Sequence, residues 1–265
     1  MSEGFLSAIG MIGGAKLVFA GAVFVILFVA ERAAAAAVPP ASKARLIRNG
    51  GLWAVVLLLS PVIVAPITAL GGNAILWHRP AALTSGGGEA AMFMLDVVVL
   101  DVWAYGLHRA YHRIPLLWRL HRVHHLDEFL DTTSAFRFHI GEVVFSAATR
   151  LIPIALLAIP LTHVIVFETL LLASAIFHHS NVRLPQRFEA ALSGIIVTPS
   201  IHWVHHHAVR ADTNSNYAAI FSLWDRLFAS RSPSRRNYDM KIGLESVEDQ
   251  PLLRLILMPF LRSAQ

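Results

Sequence analysis

The chain has 265 residues, of which 55% are apolar and only 15% charged, with a formal net charge of +5. It contains no cysteine, which excludes disulfides, thiolate-held zinc, iron–sulfur clusters and thiol nucleophiles. The apolar residues form runs near membrane-spanning length, too many for one small soluble core. The composition therefore points to a membrane protein, in which excess basic charge marks the cytoplasmic side and does not imply nucleic acid.

The first run is Leu17–Ala30, extendable back to Phe5. With Lys16 before it and Ala33–Ala37 after it, it also resembles a signal peptide. Arg32, Lys43, Arg45 and Arg48 lie in the connection that follows, where Pro39-Pro40 ends any helix. Leu52–Trp77 is a second span, with Pro61 and Pro66 expected to kink it. Ala91–Leu107 is a third and carries Asp96 and Asp101. A charge at membrane depth costs at least ~2.5 kcal/mol, so each should face the bundle interior with a partner. Asp101, Tyr105, His108 and His112 fall on one helical stripe. Ile140–Phe177 is too long for one span at about 1.5 Å per residue and suits a hairpin of two, interrupted by Arg150 and Glu168. Thr198-Pro199 predicts an N-cap and first turn for a helix carrying His202, His205 and His206. Leu252–Leu261, beside Arg254 and Arg262, reads as an interfacial helix.

Of the 22 Lys and Arg, four lie in residues 31–50, five in 108–140 and ten in 178–265, leaving Lys16, Arg79 and Arg150. All three basic segments share one side if the chain crosses at 17–30, 52–77, 91–107 and as a hairpin in 142–177. That side should be cytoplasmic, and cleavage after the first run would violate the rule. His78 and His163 fall on the opposite side.

Most of the 14 histidines are clustered. His108 and His112 are spaced i, i+4. His121, His124 and His125 are spaced i, i+3, i+4, as are His202, His205 and His206. Each set places imidazoles on one helical face. Imidazole suits iron, zinc, copper and nickel, and eight ligands exceed what one ion holds, so two metals are the natural count. His178 and His179 lie where the hairpin returns to the same side. A zinc protease is unsupported, since Arg122 and Trp203 stand where the HExxH glutamate would be. A transporter would hold its ligands at mid-membrane, and a bis-histidine haem needs fewer. Asp101, Glu142, Asp127 and Asp225 are candidates to receive the ligands' second N–H; a surface salt bridge is the other reading for Asp127 and Asp225.

The succession HRAYH, LWRLHRVHH, TSAFRFHIGE, FHHSNVRLP, TPSIHWVHHH and NYAAIFSLWDRLF, over about residues 96–230, resembles the fatty acid hydroxylase superfamily, most closely its sterol desaturase branch. The chain departs from the frequent NYG and FGT at Asn216-Tyr217-Ala218 and Phe228-Ala229-Ser230, and Leu126 replaces a frequent serine; no histidine is lost. The resemblance implies a non-haem di-iron centre that activates O2 to hydroxylate or desaturate a lipid C–H bond. By position it assigns as ligands His108, His112, His121, His124, His125, His179, His202, His205 and His206, with His178 and His139 as further candidates. Zinc could occupy the same ligands in a purified sample. The two electrons per turnover would come from an external ferredoxin or cytochrome b5-like donor, since no flavin, nicotinamide or haem motif is present.

The expected fold is an all-α integral membrane protein with four or so transmembrane helices and a cytoplasmic helical cap holding a histidine-rich dimetal site. Its expected organisation is N-terminal helices in 1–90, a catalytic domain in 91–230 and a tail with an interfacial helix in 231–265. The expected setting is the inner membrane of a bacterium or the endoplasmic reticulum of a eukaryote. The partners expected are a membrane lipid substrate and the redox donor. A metal-dependent hydrolase or a metal-binding protein on the same scaffold is the alternative.

Overall fold

The computed structural model describes residues 3–73 and 76–261, and within them the chain is helical, with isolated β-bridges and no strand. Positions 74–75 of the expected second span, and Arg262 beside the expected interfacial helix, lie outside the described residues. Four helices are long and apolar enough to cross a membrane. They belong to α1 (Glu3–Ala33), α5 (Gly87–Arg113), α7 (Ile140–Leu157) and α8 (Leu161–His179). A fifth candidate is the pair α2 (Ala44–Leu59) and α3 (Val64–Asn73), bent by 53°. The bend follows the Ser60-Pro61 step, where proline cannot continue the backbone ladder. The apolar runs thus become a multi-pass bundle.

The α7–α8 hairpin forms as its composition predicts. Ala158 takes a left-handed conformation at the end of α7, and Pro160 precedes α8. Between α5, α7 and α8 lies an apolar core of Val97, Leu100, Ile154, Ile159, Val164 and Phe167.

The three basic residues left over from the charge count are all neutralised. Glu168 on α8 takes both Lys16 at 2.7 Å and Arg150 at 2.5 Å. Arg79 grips Asp96 with bonds of 2.8 and 2.6 Å, and His163 donates to the same carboxylate at 2.7 Å. These acids interrupt the spans because each answers a cation, which offsets the cost of charge among apolar helices.

A short α4 (Ala81–Thr84) leads into α5, and at the other end of the bundle the cap is built from α6 (Pro115–His125), α9 (Gln186–Leu192), α10 (Pro199–His205), α11 (Arg210–Thr213), α12 (Leu223–Leu227) and α13 (Leu252–Leu257). A buried polar clasp ties it to α1 and α2. Arg45 on α2 donates to Asp127 at 2.9 Å, to the Phe129 carbonyl at 3.1 Å, and to Asp131. Asn49 reaches Asp127 at 3.0 Å, and Glu31 at the end of α1 accepts from Thr132 and Asn181. The C-terminal segment packs onto the cap through Leu255 and Met258, which meet Leu52, Val123 and Leu126. Leu253, Leu257 and Phe260 remain exposed.

Replacing Arg45 with Ala would leave two carboxylates buried without their cation. The expected loss is about 3–5 kcal/mol of stability, read as a lowered melting temperature of the detergent-solubilised protein. An unchanged melting temperature would show that the clasp is dispensable.

Candidate metal centre

Three local devices carry the histidines. Ile114 precedes Pro115, and the residue before a proline is pushed out of the helical region. Ile114 is accordingly extended (φ −99, ψ 115), so α5 stops at Arg113 and α6 starts afresh with proline in its first turn. This elbow folds His121, His124 and His125 back over His108 and His112. The second device is the end of α8, which delivers His179. The third is α10. Thr198 occupies its N-cap position, as the sequence predicts, but makes no side-chain cap; Glu189 accepts from the Ser200 N–H at 2.9 Å instead.

The imidazoles sort into two sets, in each of which the available nitrogens lie within 4.8 Å of one another. One is His108, His112, His121, His125 and His205; the other is His124, His179, His202 and His206. Each HxxHH box is shared between them. Successive helical residues point about 100° apart, so a His-His doublet cannot serve one ion, whereas i and i+4 share a face. His121 and His125 enter the first set while His124 enters the second. His202 and His206 enter the second while His205 enters the first.

The hydrogen bonds on the outer nitrogens fix the tautomers. Nδ1–H of His108 donates to the Tyr217 carbonyl at 2.8 Å, that of His124 to Arg137 at 3.2 Å, that of His179 to Ala175 at 2.7 Å and that of His205 to Ser215 at 2.6 Å. His121 Nδ1–H donates to the Glu142 carboxylate at 2.7 Å. A neutral imidazole protonated at Nδ1 carries a lone pair at Nε2. Yet Nε2 of His108 faces Nε2 of His121 at 3.1 Å, and Nε2 of His124 faces Nε2 of His179 at 3.0 Å. Two lone pairs at that distance repel. Burial, reinforced by neighbouring imidazoles, holds His124 well below the ordinary imidazole pKa, so protonation of that ring does not relieve its contact with His179. A cation between them does. At a metal–nitrogen distance of about 2.1 Å, ligands at right angles are about 3.0 Å apart. The residues therefore fit a metal in each set, with an all-nitrogen donor shell.

Several expected residues stand elsewhere. His139 lies outside both sets and has neither nitrogen free. It caps α7, with Nδ1 accepting from Gly141 N–H at 3.0 Å and Nε2–H donating to the Ile256 carbonyl at 3.0 Å. His178 packs its ring 4.0 Å from that of His202 but belongs to neither set. Of the proposed carboxylate partners, only Glu142 touches a clustered imidazole. Asp101 accepts from the backbone N–H of Ile220 at 3.2 Å and Phe221 at 3.0 Å, and from the Trp224 indole at 2.6 Å. Asp225 accepts from the N–H of Tyr217 at 2.8 Å and Ala218 at 3.0 Å. Both acids hold the loop whose Tyr217 carbonyl orients His108, and so act one bond further out than expected. Asp127 is neither a histidine partner nor a surface pair but the fully buried partner of Arg45. The Tyr217 ring packs 5.2 Å from that of His112 and 6.0 Å from that of His205. The orienting carbonyls escaped the sequence reading because backbone atoms carry no residue-type signal.

The sequence profile of the fatty acid hydroxylase family matches residues 93–230. An ornithine lipid hydroxylase from Rhizobium tropici is 28% identical over 176 residues, covering 66% of this chain and 52% of its own. An alkylglycerol monooxygenase from Danio rerio is 28% identical over 173 residues, covering 65% of this chain and 38% of its own. A lathosterol oxidase from Homo sapiens is 29% identical over 140 residues, covering 51% of this chain and 43% of its own. The chain thus spans about half or less of the length of these relatives. No solved structure matches it.

Glu142→Gln keeps an acceptor for His121 but removes its charge. Metal affinity is expected to fall about 10- to 100-fold, measured by competition with a chelator of known affinity. Unaltered affinity would show that the carboxylate does not tune the site.

Proposed function

The chain belongs to the fatty acid hydroxylase family, and on that premise we propose that it is a membrane-bound, O2-dependent non-haem di-iron oxidoreductase that hydroxylates or desaturates a lipid C–H bond. The observation that carries this reading is the pair of abutting imidazole sets, nine nitrogen ligands whose lone pairs converge on two points. When bound, two irons supply the redox chemistry: O2 takes two electrons and two protons together with two from the substrate bond, yielding either a hydroxylated lipid and one water or a double bond and two waters. The donor set favours iron over magnesium or calcium, which prefer oxygen, while zinc would bind without the redox function.

The proposed ligands are His108, His112, His121, His125 and His205 for one ion, and His124, His179, His202 and His206 for the other. The chain's own work is positional. The carbonyls of Tyr217, Arg137, Ala175 and Ser215 fix ring orientation and tautomer, and Glu142 makes His121 a stronger donor. Seven of the nine ligands are under 4% exposed; water is kept from these rings. The two sets rest on the ends of α5 and α8, so a lipid entering sideways from the bilayer would present a carbon close to its headgroup. The relatives' named substrates, an ornithine lipid, an alkylglycerol and a sterol, share this placement of a polar group at the interface, and a lipid of that kind is the substrate class proposed. The excess of basic residues in the cap segments supports a cytoplasmic cap.

The test is an incubation of the iron-loaded, chemically reduced protein with a membrane lipid extract under 18O2. The expected result is substrate-dependent O2 consumption, with one lipid gaining labelled oxygen or losing two hydrogens. His124→Ala should abolish metal loading and turnover while the protein still inserts into membranes. Lipid cleavage without O2 uptake, or full activity of His124→Ala, would refute the reading.

A further inference from the structure

Arg45, Arg48 and Arg137 near the cap each have a carboxylate partner. Arg109 and Arg113 at the end of α5, and Arg119 and Arg122 on α6, make no salt bridge among the described residues, although all four crowd around one elbow. Arg109 donates only to the Tyr105 hydroxyl, at 3.3 Å. The tip between them is apolar and exposed, with Ile114 at 47% and Leu116 at 68%. Four cations around a small apolar tip make a positive patch that would steer an acidic partner toward it.

Trp118 sits at this elbow, partly exposed, and its position distinguishes the patch from other basic surface. Its ring centroid is 5.0 Å from that of His112 and 5.5 Å from that of His125. His125 in turn stacks on His206 at 4.3 Å. A continuous series of ring contacts therefore runs from the elbow into the first set of imidazoles and on to the second.

We propose that the α5–α6 elbow, with Arg109, Arg113, Arg119 and Arg122 around Ile114 and Leu116, is the docking surface for an acidic one-electron carrier protein, and that Trp118 is the contact through which its electrons reach the centre. The inference rests on the di-iron reading above and adds the partner's chemistry and its place. Two carriers dock in succession per turnover. Each gives one electron and is oxidised by one unit, and together they provide the two electrons that O2 reduction requires. An acidic protein is favoured over an anionic lipid surface by the aromatic series. A lipid headgroup would need the charges but not a conducting route to the ligands. Charge complementarity of this kind acts mainly on the association rate, and screening by salt exposes it.

The experiment is stopped-flow oxidation of a reduced plant-type [2Fe–2S] ferredoxin, an acidic carrier, by the iron-loaded protein in nanodiscs of neutral lipid, without O2. Arg113→Glu/Arg119→Glu should lower the second-order rate constant about tenfold or more at low salt. The difference should vanish at high salt, and Arg113→Gln/Arg119→Gln should fall between. Iron content and reduction by dithionite should match the native protein, which excludes misfolding as the cause. Trp118→Leu should slow transfer within the bound complex without changing the salt dependence. Equal rates for native and charge-reversed protein at low salt, or no reduction of the native protein by ferredoxin where dithionite succeeds, would overturn the docking surface and leave the di-iron reading standing. Rates that follow the anionic lipid content of the nanodisc and ignore the arginine substitutions would assign the patch to the membrane and likewise overturn it. Failure of dithionite to reduce the iron-loaded protein would remove the di-iron reading and this inference with it.

Discussion

The facing of imidazole lone pairs at 3.0–3.1 Å is the constraint around which the remaining structure makes sense. Each of those rings is fixed in one tautomer by a carbonyl or carboxylate on its far nitrogen, and burial keeps His124 from relieving the contact in its pair by taking a proton. The arrangement is self-consistent only around positive charge. Its cost without a cation must be borne by the fold, since the rings cannot turn away without breaking their outer hydrogen bonds. A binding centre held this way is oriented in advance, and ligand orientation of this kind governs both metal affinity and reactivity.

That orientation is assembled from distant pieces of chain. The carbonyls come from residues 137, 175, 215 and 217, in three separate segments. Asp101, inside the bundle, accepts from three donors of the 220–224 segment and draws Ile220 into the core between α5, α7 and α8. Asp225 repeats the arrangement one step nearer the centre, on the N–H groups of Tyr217 and Ala218. The Arg45 clasp holds the segment that includes Asp127 and Asp131 against α2. Burying these charges is tolerable because each acid receives several donors, and broken singly such networks are costly. Chemistry near the membrane surface is thereby fastened to helices within it.

Much of this was legible beforehand, for a physical reason. Helical periodicity is local, so HxxxH and HxxHH could be read as aligned ligands without knowledge of the fold, and their count of eight pointed to two ions. The charge count separated Lys16, Arg79 and Arg150 from the other basic residues, and all three proved to be partners of Glu168 and Asp96. What could not be read depends on long-range pairing. Asp101 lies on the same stripe as His108, which made it look like a histidine partner, but a helical stripe does not say which neighbouring segment reaches the side chain first. His139 carries the right residue type within a matching motif, yet it serves as a helix cap. Glu142, in the same motif three residues later, is the acid that touches a clustered imidazole. The pairing that separates the two is set by α6 lying across the start of α7.

X-ray absorption on the iron-loaded protein decides whether two metals sit among these imidazoles. The expected result is two irons per chain, a nearest shell of nitrogen and oxygen scatterers with strong imidazole multiple scattering, and an iron–iron feature that disappears in His124→Ala. A single iron per chain in a fully loaded sample, or a shell dominated by carboxylate oxygen, would contradict it.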